Sequence, residues 1–272
     1  VLECVVNISE GCDQHLLSTL ASATGDDLLD VHSDPHHHRS VFTTIGENAV
    51  RALSTKAIET LDLGAHSGVH PRLGVVDVVP FVPLGGLTMR EALDARDRFG
   101  TWIADAHAVP VFFYGPDPAK DRQLPDIRRH AWKSLTPDRG PSAPHPTAGA
   151  VCVGARSTLI AYNVWLDALL DDDDAALLRQ QVRTDGIRVL TLEIDGRTQV
   201  SMNLVAPRRV GPDIAYARVE DAATQMSARV VRAELVGLVE EEVLRRIPES
   251  EWKRLDLAQD RTIESRVAGI RR

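Results

Sequence analysis

Hydrophobic positions recur along this chain with two periods, every second residue in short runs and every third or fourth in longer ones. Their alternation predicts strands and helices in turn. Residues 2–9, 27–32 and 40–45 read as strands, the last strongly β-branched and aromatic. Residues 14–23 read as a helix. A second helix, capped by Asn48, runs to about Leu61, and a third covers 88–108, where Thr88 supplies the cap and good helix formers follow. The apolar run 73–83 suits a buried strand, as does 109–114. The second half repeats the plan, with strands at 157–166, 188–194, 199–205 and 232–238 and helices at 175–184 and 221–228. Asp195-Gly196-Arg197 marks a hairpin turn between two of these strands. Strand-helix-strand-strand-helix-strand favours the α+β solution, a β-sheet with helices packed on one face.

Composition narrows this picture. With 272 residues, 43% of them hydrophobic, the chain can bury one large core or two smaller ones, and the repeated plan favours two domains. The boundary is expected near Cys152 to Arg156, giving units 1–153 and 154–272. A formal charge of -8, with no basic block, argues against a nucleic-acid surface. Anionic ligands would then be drawn by a few local arginines and helix N-termini. Three cysteines, Cys4, Cys12 and Cys152, have no metal-like spacing and suit a reducing cytoplasm. No stretch has membrane-span length and no signal-peptide pattern opens the chain, so a cytoplasmic protein without membrane partners is expected.

Three segments carry candidate chemistry. Gly68-Val69-His70-Pro71-Arg72-Leu73 sets a histidine and an arginine two residues apart at the mouth of the buried strand. Pro71 biases His70 toward extended backbone. Histidine exchanges protons near neutrality and arginine grips a carboxylate, so the pair suits proton transfer on an anionic substrate; a loop histidine beside a surface arginine is the alternative. Gly140-Pro141-Ser142-Ala143-Pro144-His145-Pro146-Thr147-Ala148-Gly149 is too rich in proline and glycine for a helix or central strand. It reads as a stiff ligand loop or as an interdomain linker. His32, His36, His37, His38, His66 and His70 fall within 39 positions, enough donors for zinc or nickel. Three consecutive histidines on an extended segment would point to alternating sides, and no fixed ligand spacing accompanies them, so no metal is expected. Asp171 to Asp174 reads as a helix N-terminal cap rather than a calcium loop.

Motif order adds a resemblance. Glu3-Cys4-Val5-Val6-Asn7-Ile8-Ser9-Glu10-Gly11, then Leu28-Leu29-Asp30 with Arg39-Ser40-Val41-Phe42-Thr43, the segment around His70, the loop from Gly140, Gly154-Ala155-Arg156 and Val200-Ser201-Met202-Asn203-Leu204 occur in sequence. Together they resemble the formiminotransferase domain of the formiminotransferase-cyclodeaminase family. The resemblance implies two subdomains of ferredoxin-like βαββαβ plan, the second followed by C-terminal helices, with a ligand groove between them. It implies transfer of the formimino group of N-formimino-L-glutamate to N5 of tetrahydrofolate, a co-substrate, by a homodimer. His70 matches the catalytic histidine. Arg72 and Arg39 would hold carboxylates, Asp30 would orient the histidine or a substrate amine, and Asn7 and Glu10 would line the groove. Residues 140–149 match the folate-binding loop, with Ala148 where the family has tryptophan; Val69 stands where it often has glutamate, and Ala65 and Ser67 where it has basic or histidine residues. Ammonia release from the product would fall to a separate cyclodeaminase. The residues alone also admit a non-catalytic folate or small-anion binding protein, or a metal-dependent hydrolase built on the histidine cluster.

Overall fold

The structure, a computed structural model, describes residues 1–68, 71–117 and 121–270. It divides into two compact units, Val1–Ser157 and Thr158–Arg272. In the first, β1 (Leu2–Ile8) is followed by α1 (Gln14–Ala23), β2 (Leu28–Asp34), β3 (Arg39–Ile45), α2 (Glu47–Thr60) and β4 (Val76–Pro83). Then come α3 (Met89–His107), β5 (Val111–Tyr114), α4 (Leu124–His130) and β6 (Val151–Ala155). The sheet order is β2-β3-β1-β4-β6-β5. Its first four strands pair antiparallel in the order of the ferredoxin-like plan, and β6 and β5 extend the β4 edge in parallel.

Local chemistry explains most boundaries. Asp13 caps α1 by accepting from Leu16 N. Thr88 and Glu91 form a full capping box on α3, which ends where Ala108 turns left-handed at φ 54°. Asn48 does not cap α2: the chain turns in at Gly46, φ 77°, and the helix has begun by Glu47. Helices α1, α2 and α3 cover one face of the sheet, burying Val6, Ile8, Leu20, Phe42, Leu53, Phe81, Phe99 and Val153. Alternate residues of the added strands, Phe112, Tyr114 and Cys152, face the other way onto Ile127 of α4. This edge is therefore covered on both faces, which is why 111–114 and 151–155 read as unbroken apolar runs. The helices are not confined to one face as the sequence pattern suggests, and the segment it leaves at a domain boundary contains the strand β6.

The second unit repeats the core plan with β7 (Ile160–Leu166), α5 (Asp172–Val182), β8 (Ile187–Ile194), β9 (Arg197–Leu204), α6 (Pro212–Gln225) and β10 (Val230–Val236). Its strand order, β10-β7-β9-β8, is the same as that of the first four strands. Short helices α7 (Glu241–Leu244), α8 (Glu249–Trp252) and α9 (Ile263–Ile270) follow. Asp171 caps α5 through Asp174 N, and Asp172, Asp173 and Asp174 occupy its first turn, favourable for the helix dipole. The β8–β9 hairpin turns on Asp195 and Gly196, both with positive φ, 51° and 70°, as a two-residue loop requires. Helix α6 starts nine residues before the expected 221, at Pro212 in the first turn, and buries Ala215, Tyr216, Val219, Ala222 and Ala223 along one stripe. Among the described residues, no helix is long and apolar enough to cross a membrane.

Candidate functional site

Asn7, Glu10 and Arg39 come together at one end of β1, β3 and β4. Between Asn7 and Ile8 the β1–β4 register slips by one residue: Ile8 faces Val76 and Asn7 faces Val78. Asp77 is the extra residue of this bulge, a device that re-aims a side chain beside a site. Its carboxylate is 1% exposed. Arg39 Nη1 donates to Oδ2 at 2.9 Å, Arg128 of α4 grips both oxygens, and Leu73 N donates to Oδ1 at 2.8 Å. Asn7 Oδ1 accepts from Arg39 Nε at 3.2 Å. Burial alone would raise the Asp77 carboxyl, but Arg39 and Arg128 outweigh it and hold the group below the ordinary carboxylate range. Asp77 and Arg128 were not anticipated from sequence. A lone charge inside Val75-Val76-Asp77-Val78-Val79 was a readable signal, since a buried carboxylate needs partners. Arg128 offered none.

A second group lies on the loop after β1. Glu10 Oε1 accepts from the backbone N–H of Gly11, Cys12 and Asp13 at 2.7–2.9 Å. Burial would raise this carboxyl, yet these donors and His38 bring it below its usual value. His38 Nε2 lies 3.2 Å from the same oxygen, and its Nδ1 lies 2.7 Å from the Ser67 carbonyl. His66 stacks on the His38 ring at 4.0 Å and bonds the His38 carbonyl through Nε2 at 2.8 Å. Burial, with Arg72 nearby, lowers the His66 imidazole despite that bond. The histidine run is not extended as expected. Asp34 Oδ1 accepts from His36 N and His37 N, folding the segment into a turn that leaves His36 exposed, buries His37 and directs His38 to Glu10. Cys12 is exposed; partial desolvation, Glu10 and Asp34 push its thiol up, which disfavours a nucleophilic thiolate.

Of the other sequence-predicted residues, Arg72 is half-buried with Nη1 donating to Gly68 O, and Asp30 stands on β2 opposite Thr43. His70 lies outside the described residues. The 140–149 loop docks beside the segment that follows His70. Leu63 N donates to Thr147 O, Val75 N to Ala148 O and Ala150 N to Leu73 O. His145 Nδ1 accepts from Thr147 N and Ala148 N, locking the loop's second half. Gly149, at φ 71°, has no room for a Cβ against the Leu73 carbonyl. Ala148 is buried, whereas Gly140, Pro141, Ser142, Ala143, Pro144 and Pro146 are exposed. This is an ordered loop integrated into the first unit.

Residues 1–156 match a family described as the formiminotransferase domain, N-terminal subdomain. Over 266 residues, 88% of each chain, the sequence is 32% identical to the glutamate formimidoyltransferase of Streptococcus pyogenes serotype M1. It is 33% identical over 279 residues to that of Thermoplasma acidophilum, covering 90% of this chain and 89% of the relative. It is also 33% identical over 276 residues to the formimidoyltransferase-cyclodeaminase of Sus scrofa, where the match takes in 88% of this chain and 50% of the relative.

Proposed function

This chain belongs to the formiminotransferase family, and on that premise we propose that it transfers the formimino group of N-formimino-L-glutamate to N5 of tetrahydrofolate. The observation that carries this reading is the pair of guanidiniums, Arg39 and Arg128, pre-oriented by the buried Asp77, whose carboxylate also accepts from Leu73 N. Two guanidiniums on one carboxylate suit a substrate whose own carboxylates must be held while its amidine reacts. N5 of the folate attacks the amidine carbon. The tetrahedral centre that results must lose a proton from the incoming nitrogen and gain one on the departing glutamate nitrogen. His70 is the group assigned to move both. Holding two substrates together supplies much of the remaining rate. Folate is the co-substrate, taken up along the exposed rim of the 140–149 loop, and a cytoplasmic homodimer is the form in which the chain works.

The full chain mixed with N-formimino-L-glutamate and tetrahydrofolate should release glutamate in step with folate consumed, followed by folate absorbance and a coupled glutamate assay. Folate binding without glutamate release would instead identify a binding protein on the same scaffold. Loop stiffness gives a second expectation. Replacing Pro144 and Pro146 together by glycine should weaken folate binding measured by calorimetry, because ordering a loosened segment costs about 1–2 kcal/mol per residue. An unchanged affinity would show that folate does not use this loop. His145→Ala removes the acceptor of two backbone N–H groups and should lower stability by about 1–3 kcal/mol in urea denaturation.

A further inference from the structure

The loop after β1 and the turn between β2 and β3 approach so closely at Gly11 that a Cβ there would collide with the Asp34 carbonyl and Arg39 N. The approach assembles three different donors. One ligand atom each from Glu10, Cys12 and His38 lies within 4.8 Å of the others. Glu10 is buried, His38 half-buried and Cys12 exposed, so the cluster opens to solvent on its thiol side. His38 is oriented from behind. Its Nδ1 faces the Ser67 carbonyl, which accepts and therefore requires the proton on that nitrogen. Across the ring, Nε2 faces Glu10 Oε1 at 3.2 Å. A backbone carbonyl on the far nitrogen is the arrangement that fixes the tautomer of metal-ligating histidines. The stacked His66 ring holds the plane of His38, whose backbone sits at φ 49°, a region that residues other than glycine occupy under constraint.

We propose that Glu10, Cys12 and His38 bind a divalent cation of the zinc class, as three protein ligands with a fourth position open to water or a small ligand. A mixed oxygen, sulfur and nitrogen set suits zinc and its cobalt substitute better than magnesium or calcium, which take oxygen ligands. On binding, the Cys12 S–H bond breaks, the proton passes to solvent and an Sγ–metal bond forms. Glu10 and His38 each add a lone pair, and nothing is oxidised or reduced. The cation ties the loop after β1 to the turn before Arg39. The histidine run contributes one ligand, His38, and the other two come from a segment some 26 residues away in sequence.

The test is a titration of the chelator-treated full chain with Co²⁺ alone. One cobalt per chain should bind with a thiolate-to-cobalt charge-transfer absorption, and equimolar Zn²⁺ should bleach it. Cys4 and Cys152 are buried and cannot supply that band. Cys12→Ser, at an exposed position, should abolish the absorption while leaving the circular dichroism unchanged, and His38→Asn should weaken cobalt binding about tenfold or more. Absence of the band in the parent protein, or its persistence in Cys12→Ser, overturns the proposal. The readout is metal binding, so it stands or falls independently of formimino transfer.

Discussion

His70→Ala should lower the turnover of formimino transfer by about two to four orders of magnitude while leaving the fold intact. The reaction moves one proton off the attacking nitrogen and another onto the leaving nitrogen, and a single imidazole can do both. The segment that follows it in sequence, from Leu73 on, is well anchored. Leu73 N bonds Asp77, Leu73 O accepts from Ala150, and Gly74 pairs with Gly149. Removing an imidazole three residues upstream therefore subtracts a functional group from a scaffold that keeps its own hydrogen bonds. Steady-state turnover at saturating substrates, with circular dichroism as the control, measures the effect. A variant that turns over near the parent rate takes His70 out of the mechanism.

The second large effect concerns stability. Asp77→Asn should destabilise the chain by about 3–5 kcal/mol, because breaking a buried ion pair leaves charge uncompensated. Here two guanidiniums, each less than a fifth exposed, would face a neutral amide. Against a typical total stability of about 5–15 kcal/mol, that loss is large. Arg128→Met provides the control: Asp77 keeps Arg39 and the Leu73 N–H, so this variant should lose less. Both are read by urea denaturation, and equal stability of Asp77→Asn and parent would show that the cluster contributes nothing to folding. The pH dependence follows from the direction of the shift. Asp77 titrates lower in the folded state than the value of about 3.9 expected of an unfolded aspartate. Its contribution is thus fully present above the unfolded value and is lost as pH falls through the folded one. Parent stability should therefore decline more steeply below about pH 4 than that of Asp77→Asn.

Much of the architecture is local and was legible. A capping box, a two-residue turn needing two positive φ values and an acidic first turn are chemical requirements of neighbours in sequence, and Thr88, Asp195-Gly196 and Asp171 meet them where expected. The sequence pattern starts α6 at 221, nine residues late, although Gly211-Pro212 and the buried stripe after them signal the earlier start. The strand β6 was harder. An apolar run of five residues serves equally as a boundary or as a strand until a neighbour pairs with it, and its partners β4 and β5 lie some 70 and 40 residues away.

By itself, the sequence determined the α+β class, the repeated strand-helix plan, the ordered motifs that mark the family and Asn7, Glu10 and Arg39 as candidate residues. These depend on periodicity, caps and turn chemistry, which act over a few residues. Tertiary structure alone decided what those residues touch. Asp77 turns toward Arg39 and Arg128 because a one-residue slip against β1 displaces it from regular alternation, and Arg128 arrives only after β5 and α4 have wrapped the far edge of the sheet. Glu10 meets His38, and the 140–149 loop meets Leu73 and Val75, through the same non-local pairing. Such contacts join positions tens of residues apart, and their register is set by strand order rather than by any spacing along the chain.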